Sequence, residues 1–354
     1  MDDIKNKIID LFNDIEKKNI SYEDLKYVLE SILEGNVDKN VVFSFLDLLH
    51  FSTVSKIISE RGDIDFWAMQ VAHIIEKYNF HSGQLFLQRV KRYKEKTLFI
   101  TIKGDNKKTI SYNKFWNDLT LISRSIQSLS KISDTTLGIL SFNQYESAAV
   151  DLCCLALGFR VVPIPLNSTS DHLSYIINEA NVTHLFIGGD KAIRLFNSVS
   201  NKHKIKIIDI NSIGSVKGDT ISWDNFLDLG EANNISGLNL ALANQDMNWT
   251  STIMYTSGST SDPKGIIFNQ TNIVSKRIAR ALALPDINSG DIFLCYLPLF
   301  HTFGRYFELM GSIFWGSTYA FAESPSFSSL LKDFKIVSPS VFISIPNRWV
   351  QLYE

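Results

Sequence analysis

The chain has 354 residues, 45% of them hydrophobic and 20% charged, a globular composition that excludes a disordered polyampholyte. Its formal net charge of -2 excludes a basic footprint for nucleic acid and implies neither an acidic partner nor a membrane surface. No apolar run is long enough to span a bilayer, which leaves room only for peripheral membrane contact, and Met1-Asp2-Asp3-Ile4 lacks the basic start of a secretory signal, so a cytoplasmic location is expected.

Up to about residue 78 the pattern is helical only, and residues 1–78 are expected to form a helical extension ahead of an α/β body over 79–354. Ile4, Ile8, Leu11, Phe12 and Ile15 recur at helical spacing. Ser21 with Asp24 predicts a capping box before Leu25, Val28, Leu29, Ile32 and Leu33, and Gly35 supplies a stop. Further helices are predicted around 41–49 and 66–78. No chemical motif stands in this region.

The period then changes. Residues 97–103 predict a strand, 104–106 a turn and 108–112 its partner, followed by a helical stripe of Phe115, Leu119, Ile122, Ile126 and Leu129. Strands at 137–141, 161–164, 184–187 and 205–210 alternate with helices at 146–157 and 173–180. Such alternation predicts a layered α/β fold, a mainly parallel sheet with flanking helices, preceded by the helical segment. Ligands of such sheets bind where loops cross the carboxyl edge. Residues 211–248 are polar and Asn-rich and read as a loop-rich crossover. Cys153, Cys154 and Cys295 show neither disulfide nor zinc spacing and read as buried thiols. His172 and His184 have no carboxylate or cysteine at ligand spacing and read as structural; no metal ligands are assigned.

Chemistry concentrates in 252–265. A short apolar strand runs into Thr256, Ser257, Gly258, Ser259, Thr260 and Ser261, all hydroxyl or glycine, and then Lys264 and Gly265. Gly258 lets consecutive backbone N–H groups converge, the hydroxyls add donors, and Lys264 adds a mobile charge that Pro263 stiffens. Together they make a cradle for a polyphosphate. This is not a Walker A loop, because Lys264 is followed by Gly265 and Ile266 rather than by Ser or Thr. From composition alone an ordinary Ser/Thr-rich surface loop is the competing reading.

The string Tyr-Thr-Ser-Gly-Ser-Thr-x-x-Pro-Lys-Gly resembles the phosphate-binding loop of the adenylate-forming superfamily: acyl-CoA synthetases, luciferases and peptide-synthetase adenylation domains. Leu155-Ala156-Leu157-Gly158 with 161–167, and Leu297-Pro298-Leu299-Phe300-His301, are similar to further family segments, so the resemblance covers about 97–354. Within the superfamily, 321–324, 330–334 and 339–349 resemble long-chain acyl-CoA synthetases; their periodicity equally fits a plain helix, strand and helix of the core. Ser261 departs from the family's glycine and Gln270 from its frequent histidine. No segment matches the family's magnesium-holding acid, ribose-binding aspartate, hinge or C-terminal lysine, so the expectation is an N-terminal fragment, inactive alone.

The resemblance implies activation of a fatty carboxylate by ATP with Mg2+, through acyl-AMP, to a thioester of coenzyme A. It makes 256–261, Lys264 and Gly265 the phosphate binders, Lys264 also catalytic, and places His301 beside the acyl-adenylate. A histidine held by backbone groups at a strand end is the alternative for His301. An amino-acid substrate would need a buried carboxylate for its ammonium, and 301–307 offer none before Glu308. Phe300, Phe303, Tyr306, Phe307 and Phe314 are candidate walls for an apolar tail, unless they are core. Two other readings stay open: a non-catalytic nucleotide-binding or interaction module (or half of a split enzyme), and a fatty acyl-AMP ligase with another acceptor. Chain length of the acid and oligomeric state are not specified by these residues.

Overall fold

The computed structural model describes residues 2–17, 19–131, 135–199, 205–232, 245–256 and 262–354. Six helices come first: α1 (Asp2–Glu16), α2 (Tyr22–Glu34), α3 (Lys39–Leu48), α4 (Ser52–Glu60), α5 (Ile64–Lys77) and α6 (Ser82–Tyr93). Helix therefore continues past residue 78, because Leu85, Phe86 and Val90 give α6 one inward face. Half of the expected capping box forms: the Ser21 hydroxyl accepts the Asp24 N–H at 3.3 Å. Gly35 does end α2, but in extended backbone with φ -97. A Cβ there would lie 2.8 Å from the Ser31 carbonyl oxygen, so close approach rather than a left-handed turn calls for glycine.

The remaining elements in chain order are β1 (Thr97–Lys103), β2 (Asn106–Ser111), α7 (Tyr112–Leu129), β3 (Thr136–Ser141), α8 (Tyr145–Leu157), β4 (Arg160–Pro163) and α9 (Ser170–Glu179). Next come β5 (His184–Gly188), α10 (Asp190–Asn197), β6 (Lys206–Asp209), β7 (Thr220–Ser222), α11 (Trp223–Glu231), β8 (Thr250–Thr256), β9 (Lys264–Asn269) and α12 (Gln270–Ala283). Then follow β10 (Ile292–Cys295), a π-helical stretch (Phe303–Leu309), α13 (Met310–Trp315), β11 (Thr318–Phe321), α14 (Phe327–Val337) and α15 (Pro346–Tyr353). They build a mixed α/β body with two sheets rather than one. The larger has the order β7-β6-β5-β3-β4-β8-β9 and is parallel except for β9 at its edge. The smaller has the order β10-β11-β1-β2. Its hairpin β1–β2 leaves the main sheet because β1 pairs in parallel with β11, Phe99 opposite Tyr319.

Two stretches differ from expectation. The polar crossover holds β7 and α11, with the Ser222 hydroxyl capping the Asn225 N–H at 3.3 Å and Phe226 buried against Phe186. Residues 233–244 of that crossover lie outside the described residues. Near the end, the expected core strand shrinks to a single bridge, Phe293 to Val341, and α15 has no buried residue. On β9, Ile266 and Ile267 are 47% and 61% exposed, and among the described residues no further strand covers its outer row of backbone groups.

One apolar core runs from Ile8, Phe45 and Trp67 through Phe86 and Phe115 to Phe321, so the N-terminal helices and the α/β body share it. Gln270 makes the polar joint between them. Its side-chain oxygen accepts from the Ser82 N–H at 3.0 Å and hydroxyl at 2.8 Å, and its amide donates to the Leu155 carbonyl at 2.9 Å. A departure from the family pattern is thus a buried side chain with three hydrogen bonds.

Two buried histidines, His50 and His184, contribute to the acid response. Burial, with the nearby Arg89 charge, holds His50 well below 6.5, although Asp47 opposes both. In the neutral ring Nδ1–H donates to the Asp47 carbonyl and Nε2 accepts from the Tyr93 hydroxyl at 2.7 Å. Burial and Lys206 push His184 down to about 4. The unfolded chain protonates first as pH falls, so this stability is complete above 6.5 and is lost from there downward, for His184 to about 4. Urea unfolding should show a decrease of up to about 1.4 kcal/mol per pH unit per histidine between pH ~6.5 and ~5. A level profile there contradicts this assignment.

Candidate active site

β8 runs parallel to β4, with Thr252 opposite Val161, so its last residue Thr256 reaches the carboxyl edge of the sheet. The chain then returns along β9, which pairs Thr256 with Lys264. The Thr256 hydroxyl donates to the Lys264 carbonyl at 3.5 Å, closing a hairpin at that edge. Ser257, Gly258, Ser259, Thr260 and Ser261 lie outside the described residues. Thr256, Lys264 and Gly265 are exposed. Gly265 is needed for the close pairing: a Cβ there would sit 2.9 Å from Ile253 Cγ2 and 3.3 Å from the Tyr255 ring. Tyr255 is held in turn by its hydroxyl, which donates to Glu179.

His301 arrives at the same edge by another route. After β3, Asn143 acts as a two-handed clamp on the incoming chain. Its Nδ2 donates to the Leu297 carbonyl at 2.7 Å and its Oδ1 accepts the Leu299 N–H at 3.1 Å. Leu299 and Phe300 then line a cavity of about 20 Å³ with Ser141 and Pro163 from the ends of β3 and β4, room for one water. The turn is tightened by the His301 N–H, which donates to the Pro298 carbonyl at 3.0 Å. His301 is exposed, and its Nδ1 accepts the Phe303 N–H at 3.3 Å, which leaves Nε2 carrying the proton of the neutral ring.

Arg305 lies on the π-helical stretch that follows and is 0% exposed. Its Nε and Nη2 hold the two oxygens of Asp151 at 2.6 Å each, and Nη1 donates to the Thr252 hydroxyl at 3.0 Å. Burial alone lowers the arginine pKa; the Asp151 carboxylate more than reverses this, and the guanidinium stays charged. Glu308, three residues on, is also fully buried. Burial pushes its carboxyl well above the ordinary range, Cys295 beside it offsetting only in part, which disfavours the charged form.

Of the candidate walls, Tyr306 and Phe314 are buried, 4% and 1% exposed, in keeping with the core alternative. Phe300 and Phe307 are half-buried and Phe303 is exposed. Two hollows, of about 540 and 450 Å³, lie among the N-terminal helices around Phe12, Asn40 and Ser44, and neither is lined by His301. Among the described residues no group of three His, Cys, Asp or Glu side chains could hold a metal ion. Sequence reasoning passed over Asn143 and Asp151. The second had a signal, a lone charge inside the apolar run 147–157.

A family model described as "AMP-binding enzyme" matches residues 86–354. The chain belongs to the AMP-binding enzyme family. Its AMP-binding region is 24% identical over 277 residues to the long-chain-fatty-acid–CoA ligase ACSBG2 of Homo sapiens, covering 77% of this chain and 41% of the relative. It is 28% identical over 264 residues to long chain acyl-CoA synthetase 5 of Arabidopsis thaliana, covering 69% of this chain and 38% of that protein. The AMP-binding chain thus spans about two fifths of the length of these curated relatives. Its fold matches O-succinylbenzoate coenzyme A synthetase of Bacillus subtilis, solved in complex with ATP and magnesium ion. The TM-score is 0.57 at 19% identity, covering 76% of this chain and 65% of that one.

Proposed function

We propose that this AMP-binding chain serves ATP-dependent activation of a fatty carboxylate. The supporting observation is convergence: the Thr256–Lys264 hairpin and the His301 turn meet at one carboxyl edge of one parallel sheet. The acid's carboxylate oxygen attacks the α-phosphorus of ATP, the bond to pyrophosphate breaks, and acyl-AMP forms. The thiolate of coenzyme A then attacks the acyl carbon and AMP leaves. The loop 256–261 and Lys264 hold the departing pyrophosphate and stabilise the charge that grows on it. Magnesium, when bound with the nucleotide, screens the phosphate charge.

A fatty rather than an amino-acid substrate is favoured by the buried acids. Asp151 is already engaged by Arg305 and burial disfavours the charged form of Glu308, so neither is placed to pair with a substrate ammonium. The relatives named as long-chain ligases point the same way.

The test is calorimetric titration of the chain with magnesium pyrophosphate and Mg-ATP, wild type against Lys264→Ala. One charge-assisted bond to phosphate contributes about 1.5–3 kcal/mol, so the variant should bind about 10- to 150-fold more weakly. Equal affinities would sink the reading. With coenzyme A and fatty acids added, these 354 residues alone should show no multiple-turnover thioester formation, given the share of the relatives that they span.

A further inference from the structure

We infer that Arg305 is a positioning residue that locks the His301 turn to the strand carrying the phosphate loop. The inference rests on the adenylation reading and names how its two halves are held together. Arg305 meets both. Its backbone N–H donates to the His301 carbonyl at 3.0 Å, and its side chain donates to the Thr252 hydroxyl at 3.0 Å. Thr252 lies on β8, four residues before Thr256, about 13 Å along the strand from the loop. The third point of the lock is Asp151 on α8, held by two parallel bonds of 2.6 Å. A planar guanidinium held on two sides by one carboxylate has a fixed direction, so Nη1 can point only one way.

The surrounding structure fits a lock rather than a simple filler. The Arg305 guanidinium also lies 4.8 Å from the ring centre of Tyr306, its neighbour on the π-helical stretch. Arg305, Thr252 and Asp151 are 0%, 0% and 3% exposed, so bulk solvent does not compete for these bonds, although Asp151 also lines the small cavity beside Leu299 and Phe300. A π-helical stretch widens the turn and is rarely kept without cause. Here it begins two residues after His301 and carries the arginine inward. A shift of the strand under the phosphate loop is therefore transmitted to the His301 turn, and the reverse.

Two variants separate positioning from mere stability. Thr252→Val removes the bond to the strand while leaving the Arg305–Asp151 pair. The double variant Asp151→Leu with Arg305→Met removes both charges together, the replacement least harmful to folding. Both are assayed at a temperature where circular dichroism reports full folding. The readouts are affinity for magnesium pyrophosphate and the response of the His301 ring signals in NMR to that ligand. Both variants should bind at least tenfold more weakly, and the His301 response should be lost. Arg305→Lys, which keeps the charge but not the fork, should fail to rescue either. Wild-type affinity and response in both folded variants would overturn the proposal and leave the adenylation reading standing. No pyrophosphate binding by the wild-type chain would overturn both.

Discussion

Arg305→Ala should cost about 3–5 kcal/mol of folding free energy, read as a fall in the urea midpoint. The size follows from what remains rather than from what is lost. Asp151 is 3% exposed, and without its partner a buried carboxylate is left with both oxygens short of the donors that Arg305 supplied. It must take up a proton or drag water in. The Thr252 hydroxyl loses a donor at the same time. An exposed ion pair such as Lys56 with Asp286 should show little effect on the same truncation, which makes it the internal control. A loss below about 1 kcal/mol for Arg305→Ala would mean that Asp151 finds another partner.

Gly304→Ala should cost about 3 kcal/mol, although it adds a single methyl group. At this buried glycine a Cβ would lie 2.4 Å from the Leu297 carbonyl oxygen and 2.5 Å from that of Pro298. These are backbone atoms, and Leu297 is itself clamped by Asn143, so neither can swing aside as a side-chain tip would. The π-helical stretch must instead move away from the turn it packs on. Chemical denaturation of the variant checks the energy. A cost within about 0.5 kcal/mol of wild type would show that the turn slides freely and would undermine the tight geometry described for His301.

What was legible in the sequence was what repeats or what is chemically dense. β1 was read at its observed bounds, because Leu98, Phe99 and Ile100 form an apolar block ended by a Gly-Asp-Asn turn. The alternation from β3 to β6 reported its own parallel pairing, since each helix could only pack back on the sheet. The split into two sheets was not legible. It depends on Phe99 meeting Tyr319 across more than two hundred residues, and nothing local in either strand announces the other. α11 was missed because it is a short helix inside a polar crossover and only Phe226 and Gly230 are buried. The family motif placed the phosphate loop and His301 in one reading. What their supports hold was not legible, because Asn143 and Asp151 act on segments about 150 residues away, although Asp151 stands out as a lone charge in an apolar run. Tyr306 and Phe314 show the opposite failure: an aromatic run looks the same whether it lines a tunnel or fills a core.

The open edge at β9 bears on how the molecule behaves in company. Ile266 and Ile267 stand on a strand whose outer hydrogen-bonding groups have no strand against them among the described residues. Lys264 at its start supplies the strand's sole charge, a weak gatekeeper against another strand settling there. Pairing of two such edges is a bimolecular event, so its rate grows with the square of concentration while folding does not. Dilute handling, or a second charge at Ile267, therefore changes the kinetics of self-assembly.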